Sequence, residues 1–85
     1  MDWDNLRFFL EVSRTSRLVT AARRLCVDHT TVSRRIHALE NEIGAQLFSR
    51  GAAGYVLTEA GRRLLPQAEA MENACLIVEQ EYRQT

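Results

Sequence analysis

No lysine occurs in these 85 residues, so all eleven basic side chains are arginines. That absence favours bidentate contacts to phosphate or guanine over a diffuse set of point charges. Cysteine is scarce as well. Cys26 and Cys75 stand far apart, which argues against a disulfide-stapled secreted scaffold. Both are expected to act as small buried or half-buried hydrophobes. No run of about 18 apolar residues exists, so no segment is expected to span a membrane. The start, Met1-Asp2-Trp3-Asp4, is acidic and lacks the apolar stretch of a secretory signal, which makes the cytoplasm the expected location. What remains is ordinary for a globular domain: 46% hydrophobic and 26% charged residues, with one proline and four glycines. The length accommodates one domain with one small core and no large ligand cleft.

Net charge is zero, which at first sight argues against a nucleic-acid partner. The distribution reverses that reading. Residues 1–63 carry ten arginines against seven acids (Asp2, Asp4, Glu11, Asp28, Glu40, Glu42 and Glu59), a balance of +3. Residues 64–85 carry Arg83 alone against Glu69, Glu72, Glu79 and Glu81, a balance of −3. A basic body is joined to an acidic C-terminal segment.

Hydrophobic spacing divides the body into helices. Leu6, Phe9 and Leu10 fall at i, i+3 and i+4, flanked by Phe8 and Val12, and predict a first amphipathic helix with Trp3 tucked against its start. It fades at the polar Arg14-Thr15-Ser16. A second, short helix spans Leu18 to Leu25 with Leu18, Ala21, Ala22 and Leu25 inside. Its alanines allow another helix to cross closely, as a helix-turn-helix requires. Cys26-Val27-Asp28 is a three-residue break, and Asp28 is a good N-cap. A third helix follows from His29 to about Glu42, with Val32, Ile36, Leu39 and Ile43 as one buried stripe and Gly44 as its stop.

Leu47-Phe48 and Tyr55-Val56-Leu57 read as two short strands around the turn Arg50-Gly51-Ala52-Ala53-Gly54. Thr58 caps a last helix running to about Gln84, roughly 40 Å long. Within it Leu64, Ala68, Met71, Cys75, Val78 and Tyr82 alternate in steps of four and three, the a/d pattern of a coiled-coil seam. A helix that long extends past a small globule and exposes its seam, so a second copy is the expected partner. Pro66 within it predicts a kink. The fold class is therefore mainly α: three helices and a short two-stranded wing over residues 1–58, then a long dimerisation helix over 59–85.

The third helix has a second, polar face. His29, Thr30, Ser33, Arg34 and His37 project away from the apolar stripe, with Thr31 and Arg35 at its margins. Short hydrogen-bonding groups and arginine at a helix N-terminus suit base edges in the major groove of a duplex, and the positive end of the helix dipole favours phosphate. Chemistry of other kinds is poorly served. Cys26-x-x-His29 is a conceivable zinc half-site, but no second ligand pair has metal spacing, and neither metal nor cofactor is expected. No nucleophile has a base and an orienting group, and Glu40 and Glu42 do not face each other, so no enzyme is expected.

Several fixed spacings agree with one family. Leu6-x-x-Phe9, Leu18-x-x-Ala21-Ala22-x-x-Leu25-x-Val27, Val32-Ser33-Arg34-x-Ile36-x-x-Leu39-Glu40, Gly44-x-x-Leu47-Phe48-x-Arg50 and Leu57-Thr58-x-x-Gly61 together resemble the N-terminal domain of LysR-type transcriptional regulators. The resemblance covers residues 3–85. It implies a winged helix-turn-helix, a dimerising linker helix and recognition of an interrupted palindrome in duplex DNA. It also implies a small-molecule effector bound by a further domain that this sequence lacks. Major-groove contact is carried onto His29, Thr30, Thr31 and Ser33, and backbone or base contact onto Arg34. Arg35, His37 and Arg17 fall to the DNA backbone, and Arg50, Ala53 and Gly54 to the wing.

Four positions depart from the family pattern. Ser16-Arg17 replaces the usual Gly-Ser opening of the second helix, which makes Arg17 an additional phosphate contact. Cys26 stands where Gly or Asn is common, and a left-handed backbone there costs it roughly 1 kcal/mol. His29 replaces a common Gln and Thr30 a common Pro, shifting base preference. Ala53 replaces a common wing Arg, which weakens minor-groove insertion by the wing unless Arg50 substitutes. The zero net charge and acidic C-terminal segment also support a different reading, a protein-interaction adaptor whose last helix docks a partner on a winged scaffold.

Overall fold

The computed structural model describes residues 1–83. It contains α1 (Asp4–Thr15), α2 (Leu18–Leu25), α3 (His29–Ile43), an antiparallel hairpin of β1 (Phe48–Gly51) and β2 (Gly54–Leu57), and α4 (Glu59–Arg83). Three helices, a two-stranded wing and a long final helix are the architecture expected from the sequence. The first helix supplies the largest share of the core: Leu6, Phe8, Phe9, Leu10 and Val12 are all buried, and Phe9 has no exposed surface. Ala21 and Ala22 of α2 are buried where α1, α2 and α3 cross, and larger side chains there would push the helices apart. Val32, Ile36 and Leu39 close the core from α3.

Backbone geometry at the helix ends follows local chemistry. Ser16 ends α1 in the left-handed region (φ 63°), and its amide donates to the Val12 carbonyl at 2.8 Å. Cys26 ends α2 in the same way (φ 59°), so the strain expected at this residue is present. Asp28 caps α3 by accepting from the Thr31 amide at 2.8 Å, and Gly44 closes the helix at φ 81°.

The wing hangs on two anchor points. The Glu40 carboxylate accepts from the amides of Leu47 at 2.7 Å and Phe48 at 3.4 Å, tying the strand entry to α3. At the other end the Tyr55 amide donates to the Ser16 carbonyl at 2.7 Å. Gly54 (φ 126°) is required there, because a Cβ would lie 2.4 Å from the Ser16 oxygen. Phe48 packs on Phe9 with ring centroids 5.3 Å apart, and the edge of Tyr55 meets Phe48 at 6.1 Å. The first strand begins at Phe48, one residue later than expected. Leu47 is a fully buried plug whose carbonyl accepts from the Thr58 amide at 3.0 Å.

Thr58 starts α4 by donating its hydroxyl to the Gln46 carbonyl at 2.6 Å and accepting from the Gly61 amide at 3.1 Å. Any side chain at Gly61 would collide with the Leu47 carbonyl, since a Cβ would sit 2.2 Å from its oxygen. Pro66 is accommodated without ending the helix. The predicted last residue, Gln84, lies outside the described residues.

Four expectations are corrected. Trp3 is not tucked in: it is 64% exposed. It borders the groove between α1 and α4 instead of packing into the core. Ile43 leaves the buried stripe at 38% exposure, because α3 has run beyond the edge of the core by its last residue. Cys26 and Cys75 are both exposed. The left-handed turn swings Cys26 off the inner face of α2, and Cys75 lies on α4 beyond the part that reaches the core. Finally, the helical seam is not open from its start. Leu64 and Met71 pack partly buried against the core and Ala68 is buried at 1% exposure, because α4 leans on α1 before it projects.

Candidate nucleic-acid interface

Burial of Val32, Ile36 and Leu39 fixes the rotation of α3, and that rotation decides what faces out. His29, Thr30, Arg34 and His37 are exposed, while Thr31 and Ser33 are half-buried beside them. The start of the helix is held rigidly. Asp28 accepts from the Thr31 amide and also from the Thr30 hydroxyl. These bonds, the one from the Thr30 side chain foremost, lower its carboxyl pKa to about 2, so it is ionised throughout the neutral range. Arg34 makes no ion pair or hydrogen bond among the described residues, and its guanidinium extends unencumbered from the helix.

Its neighbour Arg35 is placed differently from the sequence expectation of a backbone contact. Arg35 is drawn to the start of α1, pairing with Asp2 at 2.9 Å and Asp4 at 2.6 Å over the face of Phe8. Asp4 in turn is held below the ordinary carboxylate range, first by its hydrogen bond from Arg7 and then by the charges of Arg7 and Arg35. Thus one of two adjacent arginines is available to a ligand and the other fastens α3 to α1.

The turn before α2 and the wing complete the outer face. Arg17, His29 and Arg50 line one concave surface together with Gly51, Ala52 and Gly54. A second groove between α3 and the hairpin is lined by Ser33, His37, Ser49 and Arg50. Arg50 therefore borders both. Its side chain is steadied by Tyr55, donating to the phenol oxygen from Nη2 at 2.9 Å and from Nε at 3.2 Å. Ala53 sits exposed at the hairpin tip, whereas Gly54 serves the close approach to Ser16. Arg17 is exposed at the N-cap of α2 and makes no capping bond with its side chain. Among the described residues no group of three His, Cys, Asp or Glu is arranged to hold a metal, and no helix is long and apolar enough to cross a membrane.

The second candidate surface is on α4. Cys75, Val78 and Tyr82 of the expected seam are exposed. Leu76 (51%) and Ile77 (47%) are exposed beside them and were missed by the seam pattern. The unbroken run Cys75-Leu76-Ile77-Val78 was the available signal, since an apolar run on a projecting helix covers more than one face. A groove between α1 and α4 is lined by Trp3, Leu6, Leu10, Met71, Cys75 and Leu76, which gives the exposed tryptophan an apolar setting. Its wall is braced where Arg14 donates to both Glu72 oxygens, at 3.0 and 2.7 Å.

The family model of the bacterial regulatory helix-turn-helix proteins of the lysR family matches residues 3–62. A regulator called HdfR, from Yersinia enterocolitica, is 44% identical over 81 residues. The match takes in 95% of this chain but 28% of that protein, so the chain spans under a third of its relative's length. Among solved structures, the CbnR DBD–DNA complex superposes with a TM-score of 0.87 at 28% identity, covering 99% of this chain and 97% of that one. The BenM DBD/catB site 1 DNA complex gives 0.85 at 31% identity, covering 98% and 90%. With the family model matching most of its length and helix order and wing as expected, this chain belongs to the LysR family of bacterial regulatory helix-turn-helix proteins.

Proposed function

We propose that this chain binds double-stranded DNA sequence-specifically, as the DNA-binding part of a bacterial transcription regulator. The observation that carries this is the outer face of α3: His29, Thr30 and Arg34 exposed on a capped helix, flanked by Arg17 and Arg50. In this reading His29, Thr30, Thr31 and Ser33 enter the major groove, and Arg34 contacts base or backbone. Arg17 and His37 meet phosphates, and Arg50 carries the wing's contact in place of the arginine absent at Ala53. Arg35, already paired with two aspartates, supports α3 instead of reaching DNA.

Residues 1–58 form the DNA-binding unit and residues 59–85 the pairing segment of a homodimer. Cys75, Val78 and Tyr82 supply the seam, and the groove edged by Trp3 and Met71 receives the partner's helix. A twofold dimer sets two recognition helices on one DNA face, so the site is an interrupted palindrome. The chain acts in the cytoplasm and catalyses nothing. Response to a small molecule belongs to a further, effector-binding domain.

Titrating duplex DNA from upstream of its own gene tests the reading. Arg34→Ala is expected to weaken binding by about 1–3 kcal/mol, and wild-type affinity should fall steeply with salt. An Arg34→Ala affinity equal to wild type would remove that residue from the interface. No duplex binding even at low salt would favour the adaptor alternative.

A further inference from the structure

Thr30 is the one exposed α3 side chain whose hydroxyl proton has a fixed destination. A threonine hydroxyl has one hydrogen to give and two lone pairs to receive with. Here the hydrogen is given to Asp28 Oδ1, the same oxygen that accepts from the Thr31 amide. Asp28 is itself fixed as the N-cap, with an extended backbone (φ −84°, ψ 163°). It also stays ionised at any pH near neutrality, its pKa being lowered to about 2. A bond from a hydroxyl to a carboxylate is charge-assisted and roughly twice as strong as one between neutral groups. What Thr30 presents outward is therefore lone pairs only. Ser33, by contrast, makes no side-chain hydrogen bond among the described residues, so its hydroxyl can turn to donate or accept.

We infer that Thr30 is a specificity-determining residue that selects amino bases, adenine or cytosine, over keto bases, guanine or thymine, on the strand it faces. This inference rests on the DNA-binding reading above. In the major groove adenine and cytosine offer exocyclic N–H donors, at N6 and N4. Guanine shows N7 and O6, and thymine shows O4, all acceptors. An acceptor-only hydroxyl bonds the first pair. Against the second it sets lone pair against lone pair. Asp28 touches no base in this scheme. It is a positioning residue that sets the polarity of its neighbour.

Selection of binding duplexes from a random pool by the 85-residue chain tests this, comparing wild type with Thr30→Val, Thr30→Ser and Asp28→Gly. The wild type is expected to show one position in each half-site restricted to A or C. Thr30→Val, which keeps the shape but has no lone pairs, should flatten that preference by roughly five- to tenfold, the worth of one net hydrogen bond. Thr30→Ser should retain it. Asp28→Gly keeps a residue type tolerated at an N-cap but has no side chain to hold the Thr30 proton, so it too should flatten the position, with guanine or thymine gaining most. A Thr30-dependent position that prefers G or T, or a pattern indifferent to Thr30→Val, would overturn the inference. So would an Asp28→Gly pattern identical to wild type. Enriched duplexes with any of those patterns leave the DNA-binding reading standing. Failure of the wild type to enrich any duplex would overturn both.

Discussion

The first and last helices of this chain make opposite use of apolar residues. Over its 12 residues α1 buries Asn5, Leu6, Phe8, Phe9, Leu10 and Val12, whereas α4 buries only Gly61 and Ala68 over 25. The shorter helix is stabilised from within the chain, by contact with α2, α3, the hairpin and α4. The longer one is docked by its first half and projects with the second, where Leu76, Ile77 and Val78 meet solvent. A short helix with a buried stripe owes its stability to tertiary packing. A long one that keeps an apolar stripe in water is built for something outside its own fold.

The largest effect should come from breaking the inner helix. Phe9→Ala removes a fully buried ring that contacts Phe48, and is expected to cost about 3–5 kcal/mol in urea unfolding. A cost below about 1 kcal/mol would mean that α1 is not the centre of the core. Breaking the outer helix should look different. Val78→Glu should leave the helical signal of the folded chain unchanged while converting dimers to monomers in sedimentation, and duplex affinity should fall with it. Sedimentation of Val78→Glu as an intact dimer would move the pairing surface elsewhere. Met71→Glu sharpens the contrast, because Met71 packs against the core and its loss should reduce both stability and pairing.

The smallest effect concerns the brace between the two helices. Arg14 holds the Glu72 carboxyl below its ordinary value of 4.5, chiefly through their hydrogen bonds. A lowered folded-state value means that the tie is fully present above that range and is lost as pH falls through the folded value. The pair is half-exposed, so its worth at neutral pH is below about 1 kcal/mol. Stability of wild type and Glu72→Gln should differ slightly at pH 7 and converge in acid below pH 4.5. A gap that persisted unchanged into acid would show that the contact between α1 and α4 does not depend on this pair.

Much of the fold was legible because it is governed by neighbours in sequence. Asp28 and Gly44 bracket α3 through contacts within a few residues, and the Val32, Ile36 and Leu39 stripe follows from helical period alone. Legibility failed wherever two distant segments compete for one side chain. Arg35 looked like a DNA-backbone contact from its place on α3, yet its partners Asp2 and Asp4 lie 33 and 31 residues away. Glu40 gave no hint of holding the wing, because the amides it accepts from lie at the strand entry beyond the end of its helix. Leu64, Ala68 and Met71 fit an intermolecular seam in spacing, but a periodic stripe cannot say whether its own globule or another chain will cover it.

Periodicity, caps and the run of small residues in α2 were enough on their own to determine the element order and the polar identity of the outer face of α3, while the family was legible through the resemblance of its motif spacings. Which arginine is left to meet a ligand, what anchors the wing and how far α4 is docked were decided only in three dimensions. The reason is physical: local spacing sets a helix's faces, but a charge or a proton goes to whichever partner the finished packing brings within reach.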